Sequence, residues 1–246
     1  QALQESSKCH LCPLKLQHFE QEQARSALGA DIEDLDRELG RESLGLLPQL
    51  RAKERVLQDL ECLDVEGLIE LKGRAATEIL AGDEISLVEV VFHNVLEGCS
   101  PAEVAAAISA FVFPDKVGEE AEEVLLPSSR LERVRDELLT RHRQVEDIMR
   151  ERGVDVDTEE FWRMCNVGLM DIVYRWASGE PLAEIMPDTS LQEGTIVRAI
   201  VRTEELLRKL QDVAKLLGND ALRQVFKEAT ELIHRDVAFV PSLYIE

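Results

Sequence analysis

The stretch from residue 193 to 214, EGTIVRAIVRTEELLRKLQDVA, limits what this chain can fold into more than any other. Its spacing predicts one helix, and the first half of that helix is apolar on almost every side. Five apolar side chains surround the arginines Arg198 and Arg202: Ile196, Val197, Ala199, Ile200 and Val201. A helix that is apolar all round is buried in the core of a large domain. The chain is therefore expected to build its core around this helix, which leaves the two arginines to be explained.

The rest of the chain also favours helices. Aromatic residues make up only 4% of the 246, and stretches rich in Leu, Ala, Glu and Arg repeat with helical spacing. The exception is DVEGLIELKGR, where Gly67 and Gly73 flank a short apolar run and predict a small hairpin. Residues 13–40 alternate in charge with a helical period, which is typical of an exposed, stalk-like helix. The sequence thus predicts a mainly α fold, a helical bundle with one small β-hairpin and an N-terminal stalk-like helix.

Helix boundaries carry recognisable signals. Ser100, followed by Pro101 and Glu103, predicts a capped helix start, and Ser190 with Glu193 has the same capping-box pattern. Amphipathic stretches predict four further helices, over residues 47–63, 131–153, 158–179 and 220–237.

The sequence lacks the motifs of a stand-alone catalyst. There is no GxxxxGK[ST] phosphate loop, no GxSxG elbow and no HExxH pair, and the histidines stand far apart. We therefore assign this chain no catalytic residue, no cofactor and no metal ion of its own.

The scattered cysteines indicate a reducing compartment. No apolar run reaches the length of about 18 residues that a membrane span needs, so no membrane contact is expected.

Two cysteines near the start, Cys9 and Cys12, suggest a zinc site because His10 and His18 lie close to them. A structural zinc site needs four ligands in a tetrahedron, and no second Cys or His pair of suitable spacing follows. The favoured interpretation is a pair of free thiols at the foot of a helix.

A stripe of charge runs along the helix of residues 193–214. Arg198, Arg202, Glu205 and Lys209 follow one another at steps of four, three and four, so they share one face. One interpretation is an exposed face held by internal ion pairs. The apolar flanks favour another, a narrow cavity or channel that holds single-stranded nucleic acid, since arginine stacks on bases and pairs with phosphates. Glu205 would then accept a hydrogen bond from a base amino group.

The net charge of −21 limits how nucleic acid can be bound. Non-specific binding depends on many Lys and Arg side chains that displace counterions, so any contact here has to be local. Residues 181–202 also have the shape of a helix-turn-helix. A recognition helix needs an outward polar face near its start, whereas this one starts apolar, so duplex DNA is disfavoured.

Four blocks of the chain, in fixed order, carry a resemblance to a known family: LIELKGRAATEILAGDEISLVEVVFHNVLEGCSPAEVAAAISAFVF, GLMDIVYRWASGEPLAEIM, EGTIVRAIVRTEELLRKLQDVAKLLGN and IHRDVAFVPSLYIE. They are similar to the C-terminal (DSHCT) region of superkiller-type, exosome-associated DExH RNA helicases. The opening SSKCHLCPLKLQHFEQE resembles the returning stalk of the arch inserted in these helicases. The resemblance implies two parts, the end of the arch stalk over residues 1–45 and the C-terminal helical domain over residues 46–246.

The resemblance implies a function as well as a fold. In this family two ATPase domains, which bind ATP and Mg²⁺ and are not in this chain, pull single-stranded RNA in the 3′ to 5′ direction towards the RNA exosome. The C-terminal domain closes the channel, and its ratchet helix, matched by residues 193–214, lines the RNA path. Arg202 and Glu205 match the family's RNA contacts, and Arg198 lies one turn earlier. Asp115 stands where the family commonly has a glutamate near the RNA.

The resemblance also implies partners and a compartment. The partners are single-stranded RNA, the ATPase domains of the same helicase, the TPR and WD-repeat subunits of the superkiller complex, and the RNA exosome. The Cys-x-x-Cys and His-Phe pattern of the opening is closer to the cytoplasmic superkiller helicase than to its nuclear paralogue. One alternative belongs to a different class: a protein-docking scaffold with an acidic surface, whose arginines are paired internally and touch no RNA.

Overall fold

The computed structural model describes residues 12–79, 82–112 and 126–235, with the backbone alone over residues 41–45. Ten α-helices lie in this part of the chain: α1 (Lys15–Asp59), α2 (Leu71–Glu78), α3 (Glu84–Phe92), α4 (Pro101–Ser109), α5 (Ser129–Glu151), α6 (Thr158–Arg163), α7 (Met170–Ala177), α8 (Leu182–Ile185), α9 (Glu193–Leu216) and α10 (Asp220–Ile233). Two 3-10 helices cover Val167–Leu169 and Met186–Asp188. The prediction of a mainly α fold is confirmed.

The chain divides into two compact units, residues 1–51 and 52–246. Within the first unit, the described residues from Lys15 onwards are helical and carry exposed apolar side chains, such as Leu28 and Ile32. The second unit contains both clusters of buried hydrophobic side chains that form the core. The boundary at residues 45/46 that the resemblance implies stays a prediction.

Helix α1 is longer than the sequence predicts, because two predicted helices are one. It continues through Pro48, which removes one backbone hydrogen bond without ending so long a helix. Val56 and Leu60 are buried, whereas Leu50 is 54% exposed.

The predicted hairpin is wrong as a sheet element, because only one antiparallel β-bridge forms, between Leu63 and Ile69. The Asp64 carboxylate accepts hydrogen bonds from the backbone N–H groups of Glu66 and Leu68, both at 2.8 Å, and so closes a tight turn. Helix α2 starts at Leu71, directly after this turn. Because the helix follows the turn so closely, no second β-bridge can form beside the first.

The predicted helix over residues 158–179 is broken in the structure into α6, a 3-10 turn and α7. The break occurs at Asn166, whose side chain accepts a hydrogen bond from the N–H of Gly168 at 3.0 Å. Its own N–H donates to the carbonyl of Ala110, the residue directly after α4, at 2.7 Å, a contact that a continuous helix would not permit. A tertiary hydrogen bond therefore overrides the helical pattern.

One of the two predicted capping boxes is present. The Ser100 hydroxyl accepts from the N–H of Glu103, and the Glu103 carboxylate accepts from the N–H of Ser100, so α4 starts as predicted. The box at Ser190 is wrong, since α9 starts after Gln192 and no side chain caps it.

The helix that is buried on all sides is α4 rather than α9. Its residues from Glu103 to Ser109 are all buried, and it packs against α5, α7, α9 and α10. Helix α9 packs against α2, α4 and α10, so it lies at one side of this core and keeps one face uncovered.

A second, smaller cluster joins the end of α1 to α5 and α6 through Val56, Val145 and Phe161. Beside it lies a buried polar group. His142 of α5 is 0% exposed, and its Nδ1 lies 3.0 Å from Oδ2 of Asp83, which caps α3. The His142 Nε2 donates to the carbonyl of Phe161 at 3.0 Å, because a carbonyl oxygen can only accept. This group ties α3, α5 and α6 together.

Gly73 in α2 is required by a close approach of two backbones, and Gly73→Ala is expected to destabilise the second unit. A Cβ at this position would lie 2.3 Å from the carbonyl oxygen of Cys62. The turn before α2 would have to move, which costs about 1–3 kcal/mol and exceeds the roughly 1 kcal/mol that alanine gains in a helix. Urea denaturation followed by circular dichroism measures the change.

Gly194→Ala in α9 is the matched control, since a Cβ there meets only the Arg198 guanidinium, at an ordinary 3.8 Å. This substitution is expected to be neutral or to stabilise by up to about 1 kcal/mol. Equal destabilisation by both variants would contradict the role given to Gly73.

Candidate nucleic-acid interface

Helix α9 has one buried face and one exposed face. The buried face consists of residues that contact the core: Ile196, Ala199, Ile200, Thr203, Glu204, Leu206, Leu207, Leu210, Val213 and Ala214. Arg198, Arg202 and Glu205 lie on the opposite face, and all three are exposed. Val197 and Val201 flank them and are half-buried. The helical period thus brings three of the predicted site residues together.

The charges on this exposed face are not neutralised within the described part of the chain. Arg198 donates from Nη2 to the hydroxyl of Thr195 at 3.1 Å and has no carboxylate partner there. For Arg202 and Glu205, neither an ion pair nor a side-chain hydrogen bond joins them to any described residue, although they are three residues apart. The half-buried Lys209, four residues after Glu205, forms no ion pair with it.

Some arginines on the helices do pair with a carboxylate one turn away. On α5, Arg141 contacts Glu137 at 3.2 Å and Arg150 contacts Glu146 at 2.8 Å, each across four residues. On α9 itself, Arg208 is paired with the buried Glu204. The exposed stripe differs from these three pairs in keeping its charges available.

The predictions for this stripe meet with mixed results. The alternative of an exposed face held by internal ion pairs is half right, because the face is exposed but its arginines are not ion-paired to described residues. The expectation that the first half of α9 is covered on nearly all sides is wrong for this chain, since Arg198 and Arg202 are exposed. The channel itself stays a prediction. Asp115 lies outside the described residues.

Two residues next to the stripe were missed by the sequence-based reasoning. Thr195 holds the Arg198 guanidinium, and Glu204 holds Arg208. Their spacings of three and four residues were the available signal, since such pairs are neighbours on a helix. The sequence alone does not say which of the adjacent carboxylates, Glu204 or Glu205, takes Arg208.

A metal centre finds no support in the residues that the structure covers. They contain no group of three or more His, Cys, Asp or Glu side chains arranged to hold a metal ion. Cys12 lies with its Sγ 3.7 Å from Nδ1 of His18. The other two residues of the zinc alternative, Cys9 and His10, lie outside the described residues.

An apolar cavity of about 510 Å³ lies in the second unit, away from the charged stripe. Its walls include Leu57, Leu63, Ile69 and Ile85, and none of its lining residues comes from α9. Thr77 and Glu84 are the polar side chains among them. Cys62 also lines the cavity, but burial raises the pKa of its thiol, and no histidine among the lining residues could activate it. These groups do not make an active site.

None of the described helices combines the length and the apolar character that crossing a bilayer requires.

The helix-turn-helix alternative fits the structure poorly. The helix that would precede the recognition helix, α8, has only four residues and runs into a 3-10 turn.

Comparison with known proteins gives a family match over most of the chain. A family model described as the DSHCT (NUC185) domain matches residues 66–240. The chain is 32% identical over 240 residues to the DExH-box ATP-dependent RNA helicase DExH11 of Arabidopsis thaliana, covering 97% of the chain and 18% of that relative. It is 31% identical over 236 residues to the Antiviral helicase SKI2 of Saccharomyces cerevisiae, covering 95% and 18%.

A third relative is the Exosome RNA helicase MTR4 of Homo sapiens, 32% identical over 229 residues, covering 90% of the chain and 21% of that protein. The chain thus spans about a fifth of the length of the curated relatives it matches.

Proposed function

Because the chain belongs to the DSHCT (NUC185) domain family, we propose that it is the accessory RNA-channel region of an ATP-dependent RNA helicase. In this proposal the helicase pulls single-stranded RNA in the 3′ to 5′ direction and threads it to the RNA exosome for decay. ATP and Mg²⁺ bind to ATPase domains outside this chain. Arg198, Arg202 and Glu205 contact the RNA, and Asp115 is a further contact.

The observation that carries the proposal is the exposed, unneutralised stripe on α9. Arg202 and Glu205 have no ion-pair partner among the described residues, while the opposite face of the same helix is fixed in the core. A helix fixed in the core can hold exposed arginines in place for a single strand. Their guanidinium groups pair with phosphates and stack on bases. In a chain of net charge −21, this local contact replaces a broad basic surface.

The relatives support the wider setting of the proposal. Their names describe an ATP-dependent RNA helicase, an antiviral helicase and an exosome RNA helicase. We infer that this chain works with the ATPase domains of its own helicase, with the TPR and WD-repeat subunits of a superkiller complex, and with the exosome. The pattern of its opening favours the cytoplasmic form over the nuclear paralogue.

Arg202→Ala in the intact helicase is expected to slow RNA unwinding more than ATP hydrolysis. The reason is that the ATPase site lies in other domains, whereas the arginine holds the strand that is being pulled. A loss of one charge-assisted contact predicts about a tenfold lower unwinding rate, with ATP hydrolysis changed less than about twofold. A strand-displacement assay and a phosphate-release assay on the same preparation measure the two rates.

Arg223→Ala is the matched control for this experiment. Arg223 is exposed on α10, and its side chain has no ion pair within the described part of the chain. Equal loss of unwinding and ATP hydrolysis in Arg202→Ala, or loss of neither, contradicts the proposal. If Arg202→Ala instead impairs assembly with partner proteins and leaves RNA contact unchanged, the docking-scaffold alternative takes its place.

A further inference from the structure

Arg208 on α9 has two adjacent carboxylates within reach. Glu204 is four residues before it and Glu205 is three residues before it, and both spacings bring side chains together on a helix. The structure selects Glu204. Arg208 donates from Nε to Oε1 of Glu204 at 2.6 Å, and its Nη2 contacts the same oxygen.

The selection has a physical cause in the burial of Glu204. Its side chain is 7% exposed, and the Nδ1 of His234, at the end of α10, lies 3.5 Å from the same oxygen. A buried carboxylate without a cation is costly, and Arg208, whose side chain is 61% exposed, supplies that cation from the solvent side. Glu205, exposed on the neighbouring position, offers Arg208 only a solvent-screened contact.

This pairing has a consequence for Glu205 on the exposed face of α9. Because Glu204 binds Arg208, Glu205 has no ion-pair partner among the residues that the structure describes. We propose that Glu204 is a positioning residue for the exposed stripe: by pairing with Arg208, it keeps Glu205 available to a ligand that carries hydrogen-bond donors. For the ligand this inference rests on the proposed function, with a base amino group of single-stranded RNA as the donor.

The first experiment tests the pairing without RNA. In the 246-residue chain, proton exchange at the guanidinium Nε–H of Arg208 is measured by NMR and compared with that of Arg202. The account predicts at least about fivefold slower exchange at Arg208, because a donor held by a buried carboxylate is protected. In Glu204→Gln the difference is expected to disappear. Equal exchange in the wild-type chain overturns the proposal, even if the variant does not fold.

The second experiment uses two probes, oligoadenylate and oligouridylate RNA of equal length. Adenine carries an exocyclic amino group and uracil does not, so the ratio of the two affinities reports Glu205 while phosphate contacts cancel. Glu204→Gln is expected to reduce the preference for oligoadenylate by about threefold, because the released Arg208 moves to Glu205.

Two further variants separate positioning from damage to the fold. Arg208→Gln alone is expected to leave the ratio unchanged, and Glu204→Gln combined with Arg208→Gln is expected to restore it. A structural defect at Glu204 would not be repaired by removing Arg208. If the double variant does not restore the ratio, or if Arg208→Gln alone lowers it, the inference is wrong.

Failure of the proposed function gives a different result. If Arg202→Gln and Glu205→Ala leave both RNA affinities unchanged, the RNA role of the stripe is wrong. The positioning role for RNA is then overturned with it, while the exchange measurement still decides whether Glu204 holds Arg208.

Discussion

Asp83→Ala is expected to lower the free energy of unfolding of the second unit by about 2–4 kcal/mol, because it removes a helix cap and a polar neighbour of a buried imidazole at the same time. Asp83 Oδ2 lies 3.0 Å from the Nδ1 of His142, a side chain that is 0% exposed. The other carboxylate oxygen, Oδ1, accepts from the N–H of Ser86 at 3.1 Å and caps α3. The alanine variant therefore loses a cap and one polar neighbour of a buried imidazole, which keeps the Ser86 hydroxyl at 2.8 Å from its Nδ1.

Asp157→Ala provides the matched control for this prediction. Asp157 also caps a helix, since its Oδ1 accepts from the N–H of Glu160 at 3.1 Å, but it is exposed and faces no buried histidine. Loss of the cap alone is expected to cost about 0.5–2 kcal/mol. Urea denaturation of the three chains compares the two costs. Similar losses in both variants would contradict the role given to the Asp83–His142 contact.

The effect of Asp83→Ala is also expected to depend on pH. Burial by itself raises the pKa of the Asp83 carboxyl, but the contacts with His142 and Ser86 outweigh it and hold the pKa below its usual value. A carboxyl whose pKa is lower in the folded state stabilises the fold above its unfolded pKa of about 3.9, and this contribution is lost as the pH falls towards the folded pKa. The difference between wild type and variant should thus shrink as the pH falls below about 4.

Local features of the fold were predictable from the sequence. The bounds of α9 follow from its apolar period to within two residues of the observed end at Leu216. The capping box at Ser100 and Glu103 was predictable because both partners lie within one turn. The shared face of Arg198, Arg202 and Glu205 was predictable for the same reason, since side-chain spacing along a helix is a local property.

Features set by distant contacts were not predictable. The break after α6 depends on the hydrogen bond from Asn166 to Ala110, which no local pattern reveals. The all-round burial that the sequence suggests for α9 belongs to α4, because which of two apolar helices takes the centre is decided by packing. The choice of Glu204 over Glu205 by Arg208 follows from burial against α10, which the spacing alone leaves open.

The central claim is that the exposed stripe of α9 contacts single-stranded RNA, and a direct binding measurement tests it. Fluorescence anisotropy of a labelled single-stranded RNA is recorded over a series of salt concentrations with the 246-residue chain. The variants are Arg198→Gln with Arg202→Gln in one chain, and Arg223→Gln as a control. The control removes the same kind of exposed arginine from α10, with no ion pair to any residue the structure describes.

The double variant is expected to raise Kd by about tenfold or more, the loss of at least one charge-assisted contact. The slope of log Kd against log salt should fall by about 0.7 for each phosphate contact removed. Arg223→Gln should change neither quantity beyond the small effect of net charge. If the control variant weakens binding as much as the double variant does, or if the double variant binds RNA like the wild-type chain, the stripe is not an RNA contact and the account is wrong.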